Sequence, residues 1–174
     1  MRAFRVVLQQ YGATAQAAFS GASGYATDGR WHSKGRYLDY AAESQSLAVL
    51  ERLVHYKRFD ALHPHVVYVV EVPDPLILVC TNPPRGWDAS DLSPAAQKIG
   101  NRWYDERLSP AMKVPSAVTR GEFNLLLNSK HPAWKWNWVV RRTPFAFDGR
   151  LRRIVEAAGK EGGAGAGKPR GPAV

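Results

Sequence analysis

The chain has 174 residues and a formal net charge of +9. That length fits one domain with its own core, and 45% hydrophobic residues with 6 Trp, 7 Tyr and 6 Phe exclude a disordered chain. A single cysteine, Cys80, excludes an internal disulfide. With an apolar N-terminal run (Val6 to Leu8) too short for a signal peptide, it leads us to expect a reducing, cytoplasmic setting, and no run approaches a membrane span.

In chain order, Ala3 to Leu8 predicts a short strand, and Tyr11 to Gly24, rich in Ala, Gly and Ser, a short helix with a loop. Tyr37 to Ala41 predicts a strand. Ser44 is placed to cap a helix over Gln45 to Tyr56. Val66 to Val72 and Leu76 to Cys80 are β-branched apolar runs joined by a Pro-Asp-Pro turn. Leu92 to Asn101 predicts a helix opening at Ser93-Pro94, and Met112 to Val118 a strand. Trp134, Trp136 and Trp138 alternate with Lys135, Asn137 and Val139, the period of a half-buried strand; Phe145 to Phe147 is one more. Strands that do not alternate regularly with helices predict an α+β fold. We expect one domain over 1–157 and a flexible, Gly-rich basic tail over 158–174. Lys160, Lys168 and Arg170 against Glu161 give that tail +2, so the body carries +7 and attracts anions.

On the predicted helix, Leu47, Leu50 and Val54 share one face, and Glu51 falls within it. A carboxylate there either snorkels, pairs with a cation such as Arg30, or lines a cleft. Glu43 precedes the helix, where a negative charge favours the helix dipole. Arg30 lies in DGRWHSKG, where Gly29 and Gly35 let the backbone approach a ligand and a guanidinium fork can grip phosphate; the alternative is a solvated surface charge. Tyr37 and Tyr40, three apart on one strand, point to opposite faces, so one of them packs. Ser116 follows Pro115, which confines its strand to an edge or a bulge; its hydroxyl meets either a ligand or the backbone.

Other patterns are rejected. GGAGAGKP at 162–169 has Pro169 where a P-loop needs Ser or Thr. His63-Pro64-His65 lacks a third metal ligand. Cys80 has no activating neighbour, and Ser116 and His131 form no hydrolase signature. Lys135 to Arg153 interleaves Trp with Arg, a pattern that can bind single-stranded nucleic acid, but the alternation already accounts for the tryptophans.

Taken in order, FRVV, DGRWHSKG, YAAES, LAVLERLVH, IGNRWYDE, VPSAV, FNLLLNSKHP and FAFDGRL resemble the RES domain, the toxin half of Xre–RES toxin–antitoxin pairs, over residues 4–151. The resemblance implies a fold related to ADP-ribosyltransferases such as diphtheria toxin. It implies a toxin that consumes NAD by hydrolysis, phosphorolysis or ADP-ribosyl transfer. An Xre-type antitoxin would cover the site, with DNA reached only through that partner. NAD is then a substrate rather than a resident cofactor, and no metal or membrane is required. The family's arginine, tyrosine and serine match Arg30, Tyr40 and Ser116. Its glutamate matches Glu51, favoured by the helical face, or Glu43. Trp31 and Asn128 join Arg30, Tyr40 and Ser116 as ligand-binding candidates. His32 stands where asparagine is common in the family, and Asp39 where an apolar residue is usual. A rival reading is an RNA-binding or RNA-cleaving toxin.

Overall fold

The computed structural model describes residues 1–55 and 64–151. The expected boundary at 157, the tail, the Gly-rich 162–169 stretch and His63 lie outside the described residues.

Seven strands form one sheet: β1 (Arg2–Leu8), β2 (Asp39–Ala42), β3 (His65–Glu71), β4 (Ile77–Val79), β5 (Ala111–Pro115), β6 (Phe123–Leu127) and β7 (Val139–Phe145), in the order β4-β5-β6-β2-β1-β3-β7. Every pairing is antiparallel except β4 with β5. Among the described residues, helices α1 (Ala15–Ala18), α2 (Ala22–Ala26), α3 (Gln45–Leu53) and α4 (Pro94–Asp105) flank it, so the α+β expectation holds. No helix among the described residues is long and apolar enough to cross a membrane.

The side chains of β6 show how the sheet divides its surroundings. Leu125 and Leu127 point into one cluster with Ala3, Val7, Phe19, Ala41, Val66, Tyr68, Val70, Trp134 and Trp138. Leu126 points the other way. There it joins Trp31, Leu38, Ala96, Trp103, Met112 and Val114 under α4. Further along the same face, Val6, Ala42, Leu47, Ala48 and Val67 pack under α3. This second face therefore carries two separate apolar clusters, and a polar seam runs between them.

Both predicted caps are present. Ser44 Oγ accepts from the Leu47 amide and Ser93 Oγ from the Ala96 amide, so each helix starts where a hydroxyl satisfies an orphan donor. The Pro-Asp-Pro turn joins β3 to β4 as expected, and β4 then pairs with β5 at the edge remote from β3. Three expectations change. Tyr37 lies before β2, where it stacks on Tyr25 at 4.4 Å with the Lys130 ammonium over its ring. Residues 134–139 are not an alternating strand: Trp136–Trp138 is a 3-10 turn and β7 begins at Val139. That turn buries Trp134 and Trp138 and leaves Trp136 40% exposed. Finally, α3 rests on Leu47 and Ala48, while Leu50 and Val54 face solvent. The strand β6, inside FNLLLNSKHP, was not anticipated.

Candidate active site

The seam collects polar groups from α3, the end of β5, β6, β2 and the turn between Gly29 and His32. Glu51 lies on the turn of α3 after Leu47 and Ala48, which turns it toward the sheet. Its Oε1 accepts from Ser116 Oγ at 2.8 Å and from Asn124 Nδ2 at 2.6 Å. Ser116 follows β5 and is 2% exposed. Its oxygen also accepts from the amides of Val118 and Thr119, so this hydroxyl holds the loop and the carboxylate together. Asn124 is 8% exposed and sits on β6 opposite both Ala42 and Val114, one residue from each cluster. Both hydrogen bonds to Glu51 fall on one oxygen.

Tyr40 stands one step along β2 from Ala41, on the same face as Asn124. Tyr40 is half-buried as a residue, and burial around its hydroxyl holds its ionisation well above the ordinary tyrosine value. The charge of Glu51 raises it further and that of Arg30 lowers it, so both charges lie within electrostatic reach of this ring. The hydroxyl touches the Trp31 amide at 3.3 Å and His32 Nδ1 at 2.9 Å.

Arg30 and Trp31 form the tip of a two-residue turn closed by Gly29 and His32, whose backbones pair. Gln97 of α4 donates to the carbonyls of both closing residues. Arg30 Nη1 donates to the carbonyls of Trp87 and Ala89, at 2.7 and 2.9 Å, which ties down the loop before α4. The described bonds of this guanidinium use Nη1 alone, which leaves the Nε and Nη2 donors for an anion.

The sequence candidates thus separate. Arg30, Tyr40, Glu51 and Ser116 come together. Trp31 is 1% exposed and packs 5.6 Å from Trp87 beneath the turn, so it supports Arg30 from the core. Glu43 belongs to the other side of the sheet. Its carboxylate accepts from the Phe123 amide at 2.9 Å and lies 3.7 Å from Lys113, which alternates with the cluster residues Met112 and Val114. Asn128 lies beyond the far end of β6 from Asn124, about 13 Å along the strand. There its Oδ1 caps the turn at Lys130.

The model of the RES domain matches residues 2–148. The chain belongs to the RES domain family. A curated relative from Yersinia enterocolitica named Toxin Res is 35% identical over 157 residues, covering 87% of this chain and all of that one. A relative from a Sphingobium species named Prs ADP-ribosylating toxin is 33% identical, covering 77% of this chain and 86% of that one. Among solved structures, the crystal structure of the M. tuberculosis MbcT–MbcA toxin–antitoxin complex contains a chain that matches with a TM-score of 0.65 at 14% identity, covering 90% of this chain and 88% of that one; the likeness is one of fold.

In this RES domain the residue that sequence reasoning missed is Asn124. A polar side chain opening an otherwise apolar run, FNLLL, was the available signal. The two departures from the family pattern also have structural roles. Asp39 pairs with Arg5 at 2.6 Å and accepts from the Gly21 amide at 2.8 Å on the opposite face of the sheet. His32 is 2% exposed and lies beneath Tyr40.

Proposed function

We propose that this RES domain is the toxin of a toxin–antitoxin pair and cleaves the nicotinamide–ribose bond of NAD. The observation that carries the proposal is the Glu51 carboxylate, pinned through Oε1 by Ser116 and Asn124, beside the ring of Tyr40 and the guanidinium of Arg30. NAD presents an anionic diphosphate, ribose hydroxyls and a flat cationic ring, and the seam offers a complement to each. The Nε and Nη2 donors of Arg30 suit the diphosphate or the adjoining ribose. Tyr40 suits the nicotinamide ring.

The chemistry asks little of a general acid. The glycosidic carbon–nitrogen bond breaks with its electron pair on nitrogen, which releases neutral nicotinamide and leaves an oxocarbenium-like ribose. Glu51 Oε2 orients a ribose hydroxyl and stabilises the developing positive charge. Ser116 is committed to Glu51 and to the loop amides, so it acts by holding the carboxylate. An acceptor oxygen then attacks the anomeric carbon and loses its proton to solvent. Water or phosphate is the acceptor in the first reading. The name of the Sphingobium relative favours a second, in which a protein side chain takes the ADP-ribose.

An Xre-type antitoxin is the proposed partner and the bacterial cytoplasm the proposed location. The neighbouring toxin–antitoxin structure and the Toxin Res relatives support the pairing. The test is nicotinamide release from NAD by purified, antitoxin-free protein. An RNA-directed toxin would instead release none and would bind RNA with an affinity that falls steeply with salt.

A further inference from the structure

We infer that His32 is a positioning residue of this site: it fixes the Tyr40 hydroxyl as a donor pointing away from the ligand, so that Tyr40 offers its ring face and not its oxygen. The inference rests on the reading of the site as one that cleaves at nicotinamide.

The proton positions follow from the partners. The Gly24 carbonyl lies 3.2 Å from His32 Nε2 and can only accept, so Nε2 carries the proton. Neutral imidazole then has an acceptor at Nδ1. The Trp31 amide, 3.3 Å from the Tyr40 oxygen, can only donate. The one hydroxyl proton of Tyr40 therefore runs to Nδ1 at 2.9 Å. The chain of bonds goes from the Trp31 amide to Tyr40, on to His32 and into the Gly24 carbonyl. The Nε2–H tautomer set at Gly24 is what gives the Tyr40 proton its acceptor.

The seat is built for this ring. A Cβ on Gly29 would overlap the imidazole and crowd the Tyr40 hydroxyl, and one on Gly24 would meet Nε2 and the Leu38 carbonyl. His32 also closes the turn that carries Arg30, and Gln97 clamps its carbonyl. One residue thus sets both the guanidinium and the aromatic ring. The groups around the imidazole oppose each other. Burial favours the neutral ring, the Gly24 and Thr27 carbonyls and Asp28 favour the charged one, Arg36 disfavours it, Tyr40 is itself held neutral, and α4 presents the uncharged Gln97. Burial is the largest of these, and it keeps Nδ1 an acceptor.

The test uses the full chain. Nitrogen NMR of labelled histidine should give the Nε2–H tautomer for His32 at neutral pH, and Tyr40→Phe should shift its Nδ1 resonance. His32→Asn supplies an acceptor and a donor on one amide and should keep nicotinamide release within about threefold, whereas His32→Leu should lose roughly tenfold or more, the usual scale for a group that orients another. Protonation at Nδ1 takes the acceptor from Tyr40, so the wild-type kcat/KM should carry an acid limb that His32→Asn flattens. An Nδ1–H tautomer, or the same acid limb in His32→Asn, overturns the inference. If the wild type releases no nicotinamide, the proposed activity fails instead. The tautomer and the Tyr40→Phe shift then decide the role of His32, and an unmoved Nδ1 resonance rejects it.

Discussion

Glu43 and Glu51 stand on opposite faces of one sheet. Glu43 joins Lys113 and lines a surface depression with Arg2 and Asp74, whereas Glu51 joins Ser116 and Asn124 in the seam. Glu51→Gln should therefore cut nicotinamide release by about 10²-fold or more, the scale of removing one electrostatic group from a transition state. Glu43→Gln should leave the rate within a few-fold. Reversed outcomes in the two purified variants would show that the carboxylate is misassigned.

Asn124→Asp tests the pinning of Glu51. It keeps the shape of the side chain but replaces a donor at 2.6 Å by a second negative charge. Like charges this close share a proton, which raises the pKa of the pair. The pH–rate profile of this variant should gain a second acid limb, separate from the one set by His32, with activity recovering as pH rises. A profile superimposable on the wild type would mean that Asn124 does not act on Glu51.

Stability should fall on acidification in a way traceable to His32. Burial lowers its pKa in the folded protein below the ordinary 6.5, so below that pH the unfolded chain binds the proton first. The contribution is intact above 6.5 and is lost as pH drops from there toward the folded value. Urea unfolding of the wild type and His32→Asn at a series of pH values checks this. The difference between them should narrow or reverse toward acid, and a constant difference would contradict it.

Gly100 should not tolerate alanine. It lies on α4 where an added Cβ would overlap the Trp31 carbonyl oxygen, which is backbone at the tip of the Arg30 turn. We expect Gly100→Ala to lose about 2 kcal/mol or more in spite of its better helix propensity. Equilibrium unfolding gives the answer directly; a stabilised variant would show that the helix and the turn can separate.

The buried pair of Arg5 and Asp39 gives a stability test away from the seam. Burial raises the Asp39 pKa against the pull of Arg5 and the Gly21 amide, so the pair adds little net stability. Breaking it is another matter. Asp39→Ala strands a guanidinium that also donates to the carbonyls of Ala18 and Tyr40, and should cost about 3–5 kcal/mol. Arg5→Met with Asp39→Leu should recover much of that loss. Equal losses in the single and double variants would refute the assignment.

The parts of the site that are legible in the sequence are those set by local rules. Ser44 and the residues after it fix the helix that carries Glu51, and the paired glycines around Arg30 mark a tight turn. Asn124 is legible only through pairing: its meaning comes from standing opposite Ala42 and Val114, which no local pattern reveals. The tryptophan segment misleads for a related reason. Residues 134, 136 and 138 have the spacing of a strand, but a 3-10 turn places the outer two in the core and the middle one outside. Leu50 and Val54 misled the helical face in the same way, since the surface that α3 covers was decided by the sheet beneath it.

The two clusters on the seam face have no side chain in common. Large-to-small changes in one, such as Leu47→Ala, and in the other, such as Met112→Ala, should then carry independent energetic costs that simply add. Non-additivity should concentrate at Tyr40, Asn124 and Ser116. On a map of pairwise mutational coupling the ligand site would thus stand out as a narrow band of epistasis between two independent halves, visible before any substrate is supplied.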